Sequence, residues 1–517
     1  MRKKTLIKGA IIVLIASIMI RVLGFFFRIY LAENLGAQGM GIYQLIISLY
    51  MMVATFATSG ITFSVSRMVA ENSAIKKHSS PTAILKISTW WAFLISSALA
   101  IVLVVFANEI GTFILREPKT IESIYFIAAG IPFMAVAACL KGYFFAMRKA
   151  QHPSNASVIE QAVKMAIIMW LLGFFLNEGT SKACAIVSLG MTIGEVVSSL
   201  YLALFYFLDK HRIKSKPTSQ HKLKQIFNAM LQISIPIQLS STFNAALRLL
   251  ESVLIIGCFK IFARGNAEIA TSTYGIIRGM ALPLILFPTS FLQAIVTVLV
   301  PELSGASASK NKRTVRLACE KAIQITLFIG VYSTAVFLVF APQIAKLFYS
   351  NPEVGPMLQV LCGLCPFLYA QIMSMGILNA IDEQVAAMKY SIIDAIVRII
   401  LITILVPTGG FTAFVVVMYI ANIFTFSLYM IKLFQAAALP INLNKLLIKP
   451  IIAIIISTLL GMNLEPFFAH VFPKLVSIAA ASCLIGAAFL SLLVCFKCVA
   501  FPKGELNCKK TSSGCEL

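Results

Sequence analysis

Charge is what this chain has least of. Only 12% of its 517 residues are charged, and 20 of those are acidic. A typical soluble domain carries about 25% charged residues, so no large soluble domain fits here. Only five histidines are present, and the segments between apolar runs hold no cluster of His, Asp and Glu. An enzyme working where substrate meets the outer surface would need such acid and base groups. No phosphate-binding glycine loop occurs, which speaks against an ATP-driven pump. The basic residues are not gathered on one folded domain, which speaks against a nucleic-acid role. The eleven cysteines are mostly scattered in apolar runs, where they act as small apolar side chains. Cys495, Cys498, Cys508 and Cys515 could be read as a zinc site. The first two fall at the membrane end of the last run, however, so no metal is expected.

Long apolar runs are what the chain does have. It is 59% hydrophobic, with a mean hydropathy of +0.90. Runs of about 20 residues recur along its length, and each is long enough to cross a bilayer as a helix. They are continuous rather than alternating, so a helical bundle is expected and a β-barrel is not. About 14 spans are predicted, with cores near 7–31, 42–69, 87–107, 121–146, 158–176, 184–208 and 226–256, then 271–300, 318–340, 357–380, 388–406, 411–433, 446–466 and 472–495. The first run follows Arg2, Lys3 and Lys4 like a signal peptide. It is long, carries Arg21 and Arg28 and lacks a small-x-small cleavage site, so it reads as a retained span.

Alternate loops divide by charge. One set carries Lys76, Lys77, Lys86, Arg148, Lys149, Lys310, Lys312, Arg313, Arg316, Lys445 and Lys449, together with both chain ends. The other has only Lys119, Lys182, Lys260, Arg264, Lys346 and Lys474. The positive-inside rule then places both termini in the cytoplasm of a multi-pass plasma-membrane protein. Topology and contact with anionic lipid account for most of the net charge of +23.

The most basic linker, residues 209–224, divides the chain. We expect an N-terminal lobe over 1–208 with six spans and a C-terminal lobe over 225–436 with six more. Two extra spans over 437–499 and a cytoplasmic tail over 500–517 complete the chain. An internal repeat supports the division. GYFFAMRKAQHPSNASVIEQAVK, from Gly142 to Lys164, parallels GILNAIDEQVAAMKYSIIDAIVR, from Gly376 to Arg398, with about one gap. Both copies end in an acid and then a base four residues on: Glu160 with Lys164, and Asp394 with Arg398. Such a pair shares one helix face. Charges at membrane depth cost about 2.5–3.5 kcal/mol each, so they face an interior. Two related halves across a polar pathway is the anatomy of a transporter.

Other buried charges fall in line. Ser17, Arg21, Gly24 and Arg28 share a face of the first span. Asn244, Arg248 and Glu251 share one in the seventh, and Arg278 opens the eighth before Leu282-Pro283. A cavity role is one reading. The other is that Arg28 and Arg278 snorkel, that Arg248 pairs with Glu251, and that Glu160, Lys164, Asp394 and Arg398 are structural ion pairs. Glu195 in the sixth span is a further candidate. Pro132, Pro236, Pro283 and Pro288 lie inside apolar spans, where bends would suit alternating access.

Three segments carry a resemblance. RVLGFFFRIYLAENLGAQGMGIYQL (Arg21 to Leu45), GITFSVSRMVAE (Gly60 to Glu71) and YGIIRGMALPLILFP (Tyr274 to Pro288) with LVPELSGASA (Leu299 to Ala308) are similar to the polysaccharide-export and stage V sporulation protein B family. That family lies within the multidrug/oligosaccharidyl-lipid/polysaccharide exporter superfamily. The likeness implies two six-helix lobes around a central cavity, with two C-terminal helices added. It also implies flipping of undecaprenyl-pyrophosphate-linked saccharide, such as the peptidoglycan precursor lipid II, for spore cortex or cell wall. Cell-wall synthesis proteins would be partners, alongside the bilayer itself. One departure is Glu251-Ser252, where the family is expected to have an acid followed by proline.

Such a substrate suits the charges. Arginines receive pyrophosphate through bidentate, charge-assisted hydrogen bonds, and Arg21, Arg28, Arg248 and Arg278 are the expected contacts. Glu251 or Asp394 could couple transport to a proton or sodium ion. The membrane potential alone drives an anion outward by about 2.3 kcal/mol per charge per 100 mV. No cofactor is expected. A multidrug or cation antiporter of the same superfamily would favour acids over the arginines of span one. An integral-membrane glycosyl polymerase or ligase is the alternative from another class.

Overall fold

The computed structural model describes residues 2–75, 81–175, 178–210, 220–437, 444, 448–471, 474–496 and 498. Most of the linker expected over 209–224, the tail over 500–517, Cys508 and Cys515 lie outside the described residues. The described chain is helical from end to end, as lipid requires of a backbone that must satisfy its own hydrogen bonds. The helices are α1 (Arg2–Ile75), α2 (Pro81–Val105), α3 (Ala107–Glu109), α4 (Ile121–Ala146), α5 (Gln151–Phe175), α6 (Thr180–Lys210), α7 (Gln220–Phe262) and α8 (Ala267–Tyr274). They continue with α9 (Leu282–Leu286), α10 (Thr289–Ala308), α11 (Lys312–Phe348), α12 (Val354–Leu361), α13 (Cys365–Ala380), α14 (Gln384–Ala437), α15 (Lys449–Val471) and α16 (Lys474–Cys495).

Two of these are double helices in sequence terms. α1 breaks at Gly36 (φ 65°) and α14 at Gly410 (φ 55°). Left-handed backbone favours glycine. At Gly410 a side chain would also meet the Phe262 ring at 2.4 Å. The apolar stretch Ile12–Glu71 is 60 residues long. As one rod it would measure about 90 Å, three times a hydrocarbon core, so each long helix holds two crossings. Ten described helices are long and apolar enough to cross a membrane, or eleven with a bent pair over Thr289–Thr297 and Glu302–Ala308. The expected figure of about 14 is therefore not matched helix for span.

The internal repeat is visible in three dimensions at a constant offset. Gly142 backs onto the carbonyl of Thr62, where a Cβ would lie 2.7 Å away, and Gly376 backs onto Val296 at 2.6 Å. The turn after α4 has Arg148 at φ 58° and closes with Lys149 N–H donating to Phe144 O at 2.9 Å. The turn after α13 has Asp382 at φ 65° and closes with Glu383 N–H donating to Leu378 O at 2.9 Å. Every member of the second set lies 234 residues beyond its counterpart, the spacing that also separates Gln44 from Arg278. No gap is needed across this turn, which corrects the single gap expected from the sequence.

The two halves meet through α1. Its second part runs antiparallel to α7, with Gly60 against Ser234 and Gln238 donating to the Phe56 carbonyl. Nearer the Gly36 bend, it crosses the α8 region in reciprocal fashion. A Cβ on Gly41 would lie 2.0 Å from Thr271 O, and one on Gly275 would lie 2.0 Å from Ala37 O. Only glycine allows backbones this close. α15 and α16 sit apart from this crossing, on α11. There Phe328 and Phe340 form a buried cluster with Ala453, Ile485 and Phe489, and Tyr332 donates to Ser482 O at 2.9 Å.

The prolines act unequally. α4 and α7 run on through Pro132 and Pro236. The region of Pro283 and Pro288 is irregular: α8 passes into a π-helical segment, Gly275–Ala281, then α9, a turn at Pro288, and α10. At the departure noted above, Ser252 keeps α7 helical, its hydroxyl donating to Arg248 O at 3.0 Å.

Candidate functional site

The π-helical segment places Arg278 at one end of a largely buried chain of charges. Its Nη2 donates to Glu251 Oε1 at 2.5 Å. The same oxygen lies 3.8 Å from Arg398 Nε. Arg398 Nη2 reaches both Asp394 oxygens, at 3.0 and 3.1 Å, and Thr425 Oγ1 donates to Asp394 at 2.6 Å. Two carboxylates and two guanidiniums from α7, α8's π-helical continuation and α14 thus neutralise one another. Separately buried, each charge would cost several kcal/mol. α1 reaches this chain from the other half. Gln44 Nε2 donates to Arg278 O at 3.4 Å, and Ser48 and Ser252 share a hydroxyl contact of 3.0 Å. Gln44 Oε1 and Arg278 Nε are both buried without a partner among the described residues.

The N-terminal half holds a second cluster. Tyr50 donates to Glu195 at 2.7 Å, and Lys141 approaches Glu160 at 3.3 Å. Lys164 lies within electrostatic range of both Glu160 and Glu195. Close packing brings α5 and α6 together here, since a Cβ on Gly194 would lie 3.0 Å from Glu160 O. The composition mirrors the C-terminal chain, with two acids and two bases, but the bases are lysines.

Three of the singled-out arginines stand outside both clusters. Arg21 and Arg248 are exposed and Arg28 is half-buried. Among the described residues none has a carboxylate within 4.0 Å. Arg28 lies within electrostatic range of Tyr43 and Tyr349, and Arg248 of Tyr429. Beside them, Gly24 faces the Gln161 amide, which brings α1 to α5.

The structure thus sorts the expected residues. It joins Asp394 to Arg398 at the spacing read from the sequence. It does not join Arg248 to Glu251, because Arg278 and Arg398 take that carboxylate. Nor does it join Glu160 directly to Lys164, because Lys141 from α4 is Glu160's partner. Tyr50, Lys141, Gln44 and Thr425 were missed. Of these Lys141 carried a signal, a lone base inside an apolar run. The other three are ordinary polar residues whose partners lie on distant helices.

Comparison with known proteins fits this architecture. The family model described as "Polysaccharide biosynthesis protein" matches residues 6–307, and that described as "Lipid II flippase MurJ" matches residues 166–477. Stage V sporulation protein B of Bacillus subtilis (strain 168) is 27% identical over 408 residues, covering 78% of this chain and 78% of the relative. Lipid II flippase MurJ of the same organism is 18% identical over 430 residues, covering 77% and 76%. Among solved structures, the inward closed conformation of lipid II flippase MurJ superposes with a TM-score of 0.70 at 16% identity, covering 94% of this chain and 98% of that one. An inward-facing multidrug resistance MATE family transporter of the MOP superfamily gives 0.60 at 16%, covering 83% and 99%. The structural likenesses establish the shared fold. Each family model spans more than half of the sequence, and on that ground the chain belongs to the polysaccharide biosynthesis protein family and to the lipid II flippase MurJ family of membrane transporters.

Proposed function

We propose that the protein flips an undecaprenyl-pyrophosphate-linked saccharide, of lipid II type, from the cytoplasmic to the outer leaflet by alternating access, for spore cortex or cell-wall synthesis. The basic loops and termini face the cytoplasm in this reading, and the membrane is the plasma membrane. One observation carries it: Arg21, Arg28 and Arg248 have no acidic partner among the described residues, while Arg278 and Arg398 are held in ion pairs. Unpaired guanidiniums on α1 and α7 suit a pyrophosphate. A site for cationic drugs would instead present free carboxylates. Here Glu251 and Asp394 are each held by a guanidinium.

The polyprenyl tail stays in lipid while the headgroup crosses between the halves, since its polar groups cannot be left unsatisfied in hydrocarbon. Rocking of one half against the other about the reciprocal glycine crossing opens the two faces in turn. The paired state of Glu251 and Asp394 favours the membrane potential over a bound coupling ion as the driving force, worth about 2.3 kcal/mol per charge per 100 mV.

The test is translocation of lipid II in liposomes containing the purified protein, with and without an imposed potential. Movement that speeds up when the lumen-to-outside potential favours the anion is expected. Transport of small cationic dyes with no movement of lipid II would overturn the proposal.

A further inference from the structure

A cavity with charged and apolar walls lies on the side of the molecule opposite the basic loops. It has a volume of about 390 Å³ and is lined by Arg116, Glu117, Ile256, Gly257, Lys260 and Gly265, among others. Arg116 and Glu117 come from the connection between α3 and α4, and the rest come from the end of α7 and the turn after it. The cavity therefore spans the two halves of the repeat.

Its cations have no carboxylate in direct contact, although Lys260 lies within electrostatic range of Glu117. Neither Arg116 nor Lys260 makes an ion pair among the described residues. Both side chains are exposed, while Glu117 is buried. The Arg116 guanidinium lies over Gly257, 3.5 Å from where a Cβ would be. Arg116 also holds a left-handed backbone, φ 55°, in a turn closed by Glu117 N–H to Gly111 O at 2.9 Å. Glycine is the usual occupant of that position. Burial pushes the Glu117 carboxyl up, and Lys119 and Lys260 draw it back down. The rim is apolar and open at Ile261, which is 64% exposed.

We propose that Arg116 and Lys260 form a clamp for a phosphate oxyanion, supplied by the headgroup of an anionic phospholipid at the outer interface. Arginine offers a planar fork to two phosphate oxygens and lysine adds a point charge. The apolar rim meets the glyceryl and acyl portion of the lipid. A bound phosphate touches one residue from each half, so it favours the arrangement in which those halves adjoin at this face. The clamp stands independently of which lipid the protein transports.

Native mass spectrometry of the full-length protein released from lipid nanodiscs tests the clamp. One arm uses phosphatidylcholine nanodiscs doped with phosphatidylglycerol, and the other uses pure phosphatidylcholine with inorganic phosphate. In the first arm, R116Q/K260Q should retain phosphatidylglycerol about tenfold less tightly than wild type, the effect of losing about 1.4 kcal/mol of charge-assisted contact. R116K/K260R should retain most of it, and so should K182Q/K346Q, which removes the same charge from the same face. Phosphate retention that depends on Arg116 and Lys260, without retention of the lipid, supports the oxyanion site with a free ligand. Equal retention of both probes by wild type and R116Q/K260Q overturns the clamp, as does an equal loss in K182Q/K346Q. If the double variant aggregates, R116Q alone is read by the same criteria.

Discussion

Arg398 on α14 lies 3.8 Å from Glu251 on α7 while holding Asp394 through two hydrogen bonds, so one buried guanidinium serves two carboxylates on different helices. This joins the seventh and eleventh predicted spans more firmly than apolar packing in lipid would, because lipid tails compete with side chains for apolar contact.

Removing that guanidinium should therefore damage stability before anything else. Arg398→Met leaves Asp394 with no countercharge and Glu251 with Arg278 alone, and a buried pair broken this way costs about 3–5 kcal/mol. Thermal unfolding in detergent should show a large fall in midpoint. D394N/R398M should recover part of it. A double variant no more stable than the single one would show that the two residues are not coupled.

Arg21, Arg28 and Arg248 should behave in the opposite way. With no acidic partner among the described residues, their Gln variants should change unfolding free energy by less than about 0.5 kcal/mol, as surface substitutions do. Lipid II translocation should fall by about tenfold for each lost bidentate contact. Lys at the same positions should restore only part of the rate. Normal translocation in all three Gln variants would remove these residues from the transport path.

At the crossing of the two halves, Gly41→Val and Gly275→Val should have matching effects. Each puts a side chain into a carbonyl oxygen at 2.0 Å, and overpacking of this kind costs about 1–3 kcal/mol. Both should slow translocation, and both should raise labelling of an engineered Arg28→Cys by a membrane-impermeant thiol reagent. A clear effect from one and none from the other would show that the crossing is not functionally symmetric.

In the N-terminal cluster, Lys141→Met should destabilise more than Lys164→Met. Lys141 makes the ion pair to Glu160, and both side chains are about a quarter exposed. The loss should be about 1–2 kcal/mol, between the limits for exposed and buried pairs. Chemical denaturation of the two variants decides the order.

Much of this architecture was legible in the residues, and for a physical reason. A charge inside an apolar run must turn inward, so Glu160, Lys164, Asp394 and Arg398 marked the interior-facing sides of their helices, and their spacing marked the repeat. The spacing of four also foretold the bond from Asp394 to Arg398. It failed at Glu160 and at Glu251 because neighbours on a helix face compete with residues from other helices. Lys141 stands 19 positions before Glu160, across a turn. Arg278 stands 27 positions beyond Glu251, across a turn and inside a π-helical stretch. Periodicity within a run says nothing of such meetings. The glycine crossing was hidden in the same way, since Gly41 and Gly275 acquire their meaning only from the strand of backbone each one lies against.

The stretch from Gly275 to Ala281 winds with a wider turn than the helix on either side. A turn of that kind holds a surplus residue. If the surplus migrates along the rod, each side chain it passes swings by about 100° around the axis, the angle of one residue in an ordinary helix. Arg278 sits in its path. A shift of that kind would swing its guanidinium away from Glu251 with no uncoiling of the span.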